Sequence, residues 1–587
     1  MSVLHFRIQY FTYATLAILL IRCANPVTPD GGIKDVKPPT VVSSFPENHC
    51  INFQKKELRI LFNEFIQLKD QNSQVTISPP PKNNPDIKVK GKTLVINLAD
   101  SLLRNSTYSI NFGNSIEDIT ENNILKNFRF VFSTGSYLDS LSIKGRVINA
   151  FNNTPQKDIL AMLYSKDNDT IPVDSLPFHF KPSYLTRTDE NGSFIFENVR
   201  NTPLLLFAIK DQNGNAIFDL PNEKIAFFDT LIYGTYLPEH AYDTAKQDSL
   251  IKKSNPAQKD SLTTSPDNLP FYALRLFEEI DSVEKIQKVF LAQKDQVAIL
   301  FRFPIHDPYF RPLNFIPDPD WATKEISAGK DTVYLWLKSN SLDSLTMEIS
   351  DKHKIIDTVR ISLLDKTIKK KKDKKEQESV QRVFLSSKIR DGRLNHFRNN
   401  PQVIFSYPIL RFDFSRILLV YDKDTVHPTS VFADSVKRTL ILKYKWIEDK
   451  KYKLIFPDST FFSMNNLTND SLVVAFKTQM LRDYGSVKIN LKDGDATQNN
   501  IIQLLDEKEN VIEQQFLQGS GKVHFEYLSP GKYKIKCIHD RNRNGRWDTG
   551  HYRTKLQPEE VYYFPDVIEV RANWDVEELW NVEKSNH

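Results

Sequence analysis

Cysteine is scarce in this protein. Only three cysteines occur in 587 residues, at positions 23, 50 and 537. They are too few and too far apart for a disulfide framework or a zinc cluster of known spacing. Cys537 alternates with Tyr533 and Ile535 in the segment KYKIKCI, so we expect it to be a buried core thiol rather than a reactive one.

A strong excess of one charge is also missing. The chain has 78 Lys and Arg residues against 73 Asp and Glu residues, a formal net charge of +5. Nucleic-acid binding requires a basic field over a whole domain. We therefore expect no nucleic-acid partner.

Catalytic motifs of known spacing are absent from the sequence. It contains no HExxH, GxSxG or P-loop pattern, and none of its 12 histidines stands in a recognisable nucleophile context. The sequence therefore predicts a protein that is not an enzyme. Catalysis by residues that lie far apart in the sequence is the alternative.

The N-terminus has an apolar run that is too short to span a membrane. Residues 10–21 are mostly apolar, which is enough for the core of an export signal and about eight residues less than a bilayer span. Residues 1–22 are therefore predicted to be a signal peptide.

The segment LLIRCAN, which contains Cys23, resembles the lipobox of bacterial lipoproteins. Arg22 departs from that pattern, in which small residues usually precede the cysteine. The resemblance implies acylation of Cys23, a flexible tether over residues 23–39 and a lipid anchor in the outer membrane, on either face. A secreted protein with an incidental cysteine and an uncleaved anchor are the alternatives.

The rest of the chain has the composition of a folded array of domains. Hydrophobic residues make up 40% and aromatic residues 11%, so each domain can bury a core. At about 150 residues per domain, the length predicts roughly four domains or more. Past residue 40, apolar side chains alternate as they do in strands, for example at Leu94, Ile96 and Leu98. The predicted fold class is all-β, with tandem β-sandwiches.

Two domain types can be distinguished. In LLRNSTY, Leu102, Ser106 and Tyr108 have the spacing of a tyrosine corner, a structural feature of Ig-like sandwiches. Residues 40–136 resemble the bacterial Ig-like domain of surface-layer proteins and lipoproteins (SbsA-like). Residues 140–236, with SIKGRVINA and TDENGSFIFENV, resemble the carboxypeptidase-regulatory or transthyretin-like sandwich, which implies a non-catalytic accessory domain.

Both domain types recur. Gly192, Phe196, Asp211 and Asp219 return as Gly521, Phe525, Asp540 and Asp548 at a constant separation of 329 residues, and Phe62, Tyr108, Phe132 and Thr134 return as Phe405, Tyr452, Phe476 and Thr478 at 343 or 344. The first set is an ungapped match, and the recurrence of both sets indicates duplication of a two-domain module. The remaining predicted segments are a linker over 237–270, a divergent β-sandwich over 271–365, a Lys-rich linker over 366–381, an Ig-like domain over 382–481 and a transthyretin-like domain over 484–583.

The segment DRNRNGRWD has the spacing of a calcium loop. Asp540, Asn542, Asn544, the Arg546 carbonyl and Asp548 occupy positions 1, 3, 5, 7 and 9, and Gly545 occupies position 6. Position 12 is His551 rather than an acid, so we expect weak binding, at roughly 0.1–1 mM. The sister segment DQNGNAIFD provides Asp211, Asn213, Asn215 and Asp219, with Ala216 at position 6. Alternatively, these side chains cap their own backbone in a long turn.

The leading functional prediction is a non-enzymatic outer-membrane lipoprotein that acts in adhesion or as a scaffold of the cell envelope. Its predicted partners are the membrane, through the lipid anchor, and an unidentified envelope protein or glycan. The alternative is a polysaccharide-binding accessory lipoprotein, in which Trp574 or Trp580 of the tail stacks on sugar rings. Either tryptophan could instead cover the open edge of a domain.

Overall fold

The computed structural model describes nine segments of the chain, and the first 33 residues lie outside them. The predicted signal peptide, Cys23, most of the tether and nearly all of both predicted linkers therefore lie outside the described residues. Among the described residues, no helix is long and apolar enough to cross a membrane. The described segments are 34–98, 102–166, 172–236, 270–279, 284–338, 342–364, 382–389, 391–492 and 495–582.

The chain divides into two compact units. Unit 1 comprises Met1–Ile148 and Pro155–Leu276, and unit 2 comprises Asn149–Thr154 and Phe277–His587. Strands dominate the described residues of both units, so the all-β prediction is confirmed. We name the successive sandwiches A1, B1, C, A2 and B2.

Sandwich A1, residues 41–133, packs its sheets around a core of aromatic and aliphatic side chains. In the segment ELRILF, Leu58, Ile60 and Phe62 are buried because alternate residues of a strand point to one face. The hydrogen-bonded orders are β1-β2-β6-β5, β10-β7-β4 and β3-β8-β9. The elements are β1 Val41–Phe45, β2 Glu57–Phe62, β3 Ile66–Leu68, helix α1 Gln71–Gln74, β4 Thr76–Ser78, β5 Asp86–Lys90, β6 Thr93–Asn97, β7 Thr107–Asn111, β8 Ile116–Asp118, β9 Ile124–Leu125 and β10 Arg129–Ser133.

Sandwich B1, residues 141–278, forms one hydrogen-bonded path of strands in the order β13-β12-β15-β16-β18-β11-β14, and β17 pairs with β11. A short helical insertion separates β12 from β13. The elements are β11 Leu141–Asn149, β12 Leu160–Ser165, a 3-10 turn Val173–Ser175, helix α2 Leu176–His179, β13 Tyr184–Arg187, β14 Ser193–Val199, β15 Leu204–Ile209, β16 Lys224–Phe227, β17 Thr235–Tyr236 and β18 Phe271–Glu278.

Strand β18 corrects one predicted boundary. Residue 271 was predicted to begin the divergent sandwich, yet β18 lies between β16 and β11, and Leu274 and Leu276 belong to the B1 core. A Cβ on Gly145 would lie 2.2 Å from the carbonyl oxygen of Tyr272, so the close approach of β18 requires glycine there. The prediction was wrong because a polar, Pro-containing stretch inside a domain has the same composition as a linker between domains.

Sandwich C, residues 286–362, has two sheets of order β19-β20-β23-β22 and β21-β24-β25. Its core includes Val297, Ile299, Val333 and Leu335. The strands are β19 Ile286–Gln293, β20 Gln296–Phe301, β21 Pro308–Pro312, β22 Ala322–Ile326, β23 Thr332–Leu337, β24 Ser344–Asp351 and β25 Lys354–Ser362.

Sandwich A2, residues 385–478, has sheets of order β26-β28-β33-β32, β27-β36-β34-β30-β31 and β29-β35. Two 3-10 turns, Phe414–Arg416 and Leu481–Asp483, lie within it and after it. The strands are β26 Leu385–Ser387, β27 Arg393–Leu394, β28 Gln402–Phe405, β29 Ile409–Phe412, β30 Leu418–Tyr421, β31 Asp424–Val426, β32 Thr429–Phe432, β33 Thr439–Lys443, β34 Lys451–Phe456, β35 Phe461–Ser463 and β36 Leu472–Thr478.

The tyrosine corner is present in both A sandwiches. The Leu103 N–H donates to the Tyr108 hydroxyl at 2.8 Å, and the Ile447 N–H donates to the Tyr452 hydroxyl at 3.0 Å. Each bond fixes the loop before a core strand to its own domain. The geometry agrees with the spacing that predicted it.

Sandwich B2, residues 485–581, has sheets of order β40-β37-β44 and β39-β38-β41-β42, with β43 paired to β41. These orders correspond to β14-β11-β18 and β13-β12-β15-β16 of B1, so the predicted repetition of domains is confirmed. The strands are β37 Gly485–Lys492, β38 Asn499–Leu505, β39 Val511–Gln518, β40 Gly521–Leu528, β41 Gly531–His539, β42 Val561–Tyr563, β43 Ile568–Val570 and β44 Asp575–Asn581.

Candidate functional site

The predicted C-terminal calcium loop follows β41 and gathers its predicted side chains into one turn. Asp540 is 3% exposed, and its carboxylate accepts hydrogen bonds from the N–H groups of Asn544 (3.1 Å) and Gly545 (2.8 Å). Gly545 has a φ of +76°, a conformation that glycine adopts without strain.

The two asparagines of this loop face its second aspartate. The side-chain amides of Asn542 and Asn544 each donate to Asp548 Oδ2 at 2.6 Å. The Arg546 N–H donates to Asn544 Oδ1 at 3.0 Å, and Arg546 Nε lies 3.6 Å from Asp548 Oδ1. These are the hydrogen bonds of the self-capped turn that was the alternative to a metal site.

The sister loop after β15 repeats the arrangement. Asp211 accepts from the N–H groups of Gly214 (2.7 Å) and Ala216 (2.8 Å). The amides of Asn213 and Asn215 donate to Asp219 at 3.1 and 2.8 Å. Ala216 has a φ of +59°, so this alanine adopts the left-handed conformation that its counterpart Gly545 also takes.

Each loop is closed by a buried glutamate that sequence reasoning missed. Glu559 is 1% exposed, and its carboxylate accepts from the N–H groups of Arg541 (2.8 Å) and Asp548 (3.0 Å). Burial raises the pKa of this carboxyl group. Glu223, also 1% exposed, accepts in the same way from the N–H group of Gln212 at 3.0 Å and from that of Asp219 at 3.0 Å.

The sequence contains both glutamates, but at different distances from the preceding aspartate. Glu223 follows Asp219 by four residues, whereas Glu559 follows Asp548 by eleven. Both stand just before the next strand, β16 or β42. Both glutamates are found when the two loops are aligned backwards from the next strand, β16 or β42, instead of at the constant separation of 329 residues.

The described residues contain no group of three or more His, Cys, Asp or Glu side chains placed to hold a metal ion. In the C-terminal loop the amide oxygens of Asn542 and Asn544 accept backbone N–H groups, and their amide nitrogens face Asp548. Calcium binding at either loop stays a prediction.

The two tail tryptophans occupy different environments. Trp580 is 2% exposed and packs in the B2 core, with its ring centroid 5.8 Å from that of Phe564. Trp574 is 57% exposed, and the Arg571 guanidinium lies 5.4 Å from its ring centroid. Only Trp574 of this pair presents an exposed ring surface to a ligand.

Cys537 is fully buried, as its alternation with Tyr533 and Ile535 predicts. The Cys537 thiol donates to Asn500 Oδ1 at 3.7 Å. Next to Cys537 on β41, Lys536 is a buried cation that is 2% exposed, and its Nζ lies 5.6 Å from the Tyr563 ring centroid. Burial lowers the pKa of Lys536 from 10.5 to about 8.

We expect B2 to become more stable as the pH rises above 8. Between the folded pKa of Lys536, about 8, and the unfolded value of about 10.5, the unfolded chain binds one more proton, so stability rises with pH. The gain from pH 7 to 9.5 is about 2 kcal/mol. Thermal melts over this range check it, and Lys536→Met should remove the dependence. Equal pH dependence in both proteins would contradict this account.

Contacts between adjacent sandwiches occur within each unit. In unit 1, Arg129 of A1 pairs with Glu197 of B1, and the Leu185 N–H donates to Ser78 Oγ at 3.1 Å. Both residue pairs join strands of A1 to strands of B1. A1 and B1 are thus linked by side chains in addition to the chain itself.

Within unit 2, C meets A2 through Glu325, Trp336 and Arg438. Both oxygens of Glu325 lie 2.9 Å from Arg438 Nη1, and Glu325 Oε2 accepts from Trp336 Nε1 at 2.7 Å. The Arg438 guanidinium stacks 4.7 Å from the centroid of the Trp336 ring, which is fully buried. We call these three residues the C–A2 joint.

A2 and B2 are also joined within unit 2. The ring of Phe397 stacks on that of Tyr527, with centroids 5.0 Å apart and planes inclined by 11°. Asn395 Nδ2 donates to the Tyr527 carbonyl at 2.9 Å, and Arg398 pairs with Glu513. An aromatic stack and an ion pair therefore connect these neighbours.

The comparisons with known proteins identify the first sandwich. Residues 35–134 match the bacterial Ig-like domain. The resemblance that the sequence showed for A1 is thereby confirmed, and the chain contains a bacterial Ig-like domain over residues 35–134. None of the curated proteins matches the chain.

Several solved structures also match the chain, at TM-scores of 0.15 or less. The major pilin subunit BcpA of Bacillus cereus is 11% identical, with a TM-score of 0.14, over 75% of this chain and 98% of that chain. The N-terminal part of the bacterial S-layer protein SbsC is 14% identical, with a TM-score of 0.12, over 33% and 42%. A fragment of Escherichia coli alpha-2-macroglobulin is 9% identical, with a TM-score of 0.15, over 33% and 97%.

Proposed function

We propose that this protein is a non-enzymatic scaffold of the cell envelope, attached to the outer membrane through a lipid on Cys23. The observation that supports it best is the set of side-chain contacts between neighbouring sandwiches. A1 contacts B1, C contacts A2 and A2 contacts B2 through ion pairs, hydrogen bonds or stacked rings. Neighbouring sandwiches that are joined in this way keep fixed positions relative to one another. A binding surface on one of them is therefore held in place, as a scaffold requires.

The two B sandwiches are proposed to be transthyretin-like accessory domains. Their matched strand orders and matched Asx-rich loops support a duplicated two-domain module. Because such loops vary without disturbing a sandwich, they are suited to carry recognition rather than chemistry. The partner is proposed to be an envelope protein.

Crosslinking in intact cells tests the scaffold proposal. A photo-crosslinker placed in turn at exposed residues such as Trp574 should capture the same envelope protein in repeated experiments, and Cys23→Ser should abolish the capture. A turnover activity of the pure protein that depends on a nameable residue would contradict the non-enzymatic part of the proposal.

The lipid tether has its own test. Residues 34–38 are exposed and precede β1, so a short spacer separates A1 from Cys23. Cys23→Ser should move the protein from the membrane fraction to the soluble fraction, because each buried methylene of an acyl chain contributes about 0.8 kcal/mol. Intact mass and fractionation measure this. Cys50→Ser is the matched control and should remain membrane-bound; a wild-type chain that does not begin at a modified Cys23 would contradict the tether.

Weak calcium binding by the Asx-rich loops is proposed as a further property. Oxygen atoms dominate both loops, and the aspartates of each pair repel one another without a cation. At ten times the dissociation constant, calcium should stabilise B2 by about 1.4 kcal/mol. Thermal melts of the whole protein with calcium, magnesium or chelator measure this, and magnesium should do less. Equal melting in calcium and chelator, or an equal calcium shift in Asp540→Asn, would contradict it.

A further inference from the structure

The two B sandwiches have a cleft at the same place, between the Asx-rich loop and the edge strand beside it, β13 in B1 and β39 in B2. Residues that line the two clefts correspond at the constant separation of 329 positions. The corresponding residues are Arg187 and Phe516, Asp211 and Asp540, Gly214 and Arg543, Asn215 and Asn544, and Ala216 and Gly545. The clefts are therefore equivalent sites of the repeated domain.

In B1, the second wall of the cleft comes from A1. The described A1 residues that line it lie between positions 71 and 87, and none of them is charged. They include Ile77 of β4 and the prolines Pro80, Pro81 and Pro85. An uncharged segment that contains prolines is thus the occupant of this cleft in the first of the two copies.

In B2, the described residues that line the cleft all belong to B2 itself. A2 reaches B2 elsewhere, through the loop that holds Asn395, Phe397 and Arg398. The A2 strand that corresponds to β4 is β30, because it pairs with β34 as β4 pairs with β7. Strand β4 is the edge of its sheet, whereas β30 is also paired with β31. A2 therefore does not close the B2 cleft as A1 closes the B1 cleft.

The B2 cleft presents an aromatic ring where the B1 cleft has an arginine. Phe516 is 64% exposed, and its ring lies against Gly545, where a Cβ would stand 3.5 Å from two ring carbons. Gln518 and Arg543 are exposed, line the same cleft and carry N–H donors. The cleft has a volume of about 470 Å³. Proline-containing segments bind on aromatic rings, and their carbonyl groups are free to accept hydrogen bonds because an extended proline helix has no internal ones.

We propose that the B2 cleft binds an extended, uncharged, proline-containing segment of a partner protein. The proline rings pack on Phe516, and Gln518 and Arg543 donate hydrogen bonds to backbone carbonyls of the segment. Such a segment is already extended when it is free, so little conformational entropy is lost on binding. This site rests on the scaffold proposal for the existence of a protein partner, and it names the place and the chemistry by which B2 engages that partner.

Fluorescence anisotropy with the whole purified protein in detergent tests the cleft. The probe is a fluorescein-labelled peptide with the sequence of residues 71–87, because this segment closes the equivalent cleft of B1. It should bind saturably, with a dissociation constant below about 1 mM. Phe516→Ala should weaken binding by about tenfold. Trp574→Ala is the matched control, because its ring is also on B2 and 57% exposed, and it should leave binding unchanged.

A second peptide tests the role of the prolines. With Pro80, Pro81 and Pro85 replaced by serine, the peptide should bind at least about fivefold more weakly, because it loses the rings that pack on Phe516 and is less extended when free. Equal binding of the two peptides would overturn the proposal, as would no saturable binding of the first at about 1 mM. Equal binding by Phe516→Ala would also overturn it, because the peptide would then bind elsewhere, for example in the B1 cleft.

Sedimentation of the protein without peptide tests the other occupant, a second copy of the chain. We expect a monomer; a dimer that Phe516→Ala dissociates would show a second copy in the cleft and would overturn the proposal. Thermal melts establish that Phe516→Ala is folded. A failure of the peptide to bind would leave the scaffold proposal standing, whereas a failure to capture an envelope protein in cells would leave peptide binding by the cleft unaffected.

Discussion

Replacing Glu559 with alanine should destabilise B2 by about 2–4 kcal/mol, because two partly buried N–H groups lose a charged acceptor, and each such hydrogen bond contributes about 1.5–3 kcal/mol. These are the N–H groups of Arg541 and Asp548, at the two ends of the C-terminal loop. Hydrogen exchange read by mass spectrometry should show faster exchange of the peptide that spans residues 540–548. Thermal unfolding of B2 should begin at a lower temperature.

Two further variants provide a control and a parallel test of this prediction. Glu569→Ala removes only a surface ion pair with Arg571, whose side chains are 57% and 59% exposed, and should cost under about 0.5 kcal/mol. Glu223→Ala should weaken B1 as Glu559→Ala weakens B2, because it accepts equivalent bonds. Unchanged exchange in the loop of Glu559→Ala would contradict the structural role assigned to this glutamate.

Breaking the C–A2 joint should have the second large effect. The side chains of Arg438 and Glu325 are only 22% and 23% exposed, and Arg438→Ala leaves Glu325 half-buried without its cation. We expect a loss of about 2–3 kcal/mol, somewhat below the cost of breaking a fully buried pair. Urea unfolding of Arg438→Ala, Glu325→Gln and the double variant gives the coupling energy between the two residues.

A matched pair on the surface of C provides the control. Lys338 and Asp320 form an ion pair at 2.6 Å, but their side chains are 49% and 69% exposed. Lys338→Ala should therefore cost under about 0.5 kcal/mol. A coupling energy near zero between Arg438 and Glu325 would contradict this prediction, because it would show that the joint stabilises the protein no more than an exposed ion pair does.

The sequence was sufficient for features that are local. Alternation at Leu94, Ile96 and Leu98 predicted a core strand, and all three are buried. The spacing that ends at Tyr108 predicted a tyrosine corner, because its hydroxyl bonds to a residue only five positions away. The Asx-rich loops were found for the same reason.

Features that depend on distant pairing were not predicted. The alternation of Leu274 and Leu276 shows that β18 is a strand, but it does not show which sheet the strand joins. Glu559 was missed because the spacing to Asp548 differs between the repeats. The C–A2 joint joins Glu325 to Arg438, 113 positions apart, and no periodicity relates them.

If neighbouring sandwiches are held in fixed positions, the distance between C and A2 should have a single value, and a distance distribution between the two measures it. Spin labels at the exposed Lys354→Cys and Lys453→Cys, in a Cys50→Ser background, report on this pair by double electron–electron resonance. We expect one narrow distance distribution, which should broaden in Arg438→Ala. A broad distribution in the protein with an intact joint, as expected for two independently moving domains, would contradict it.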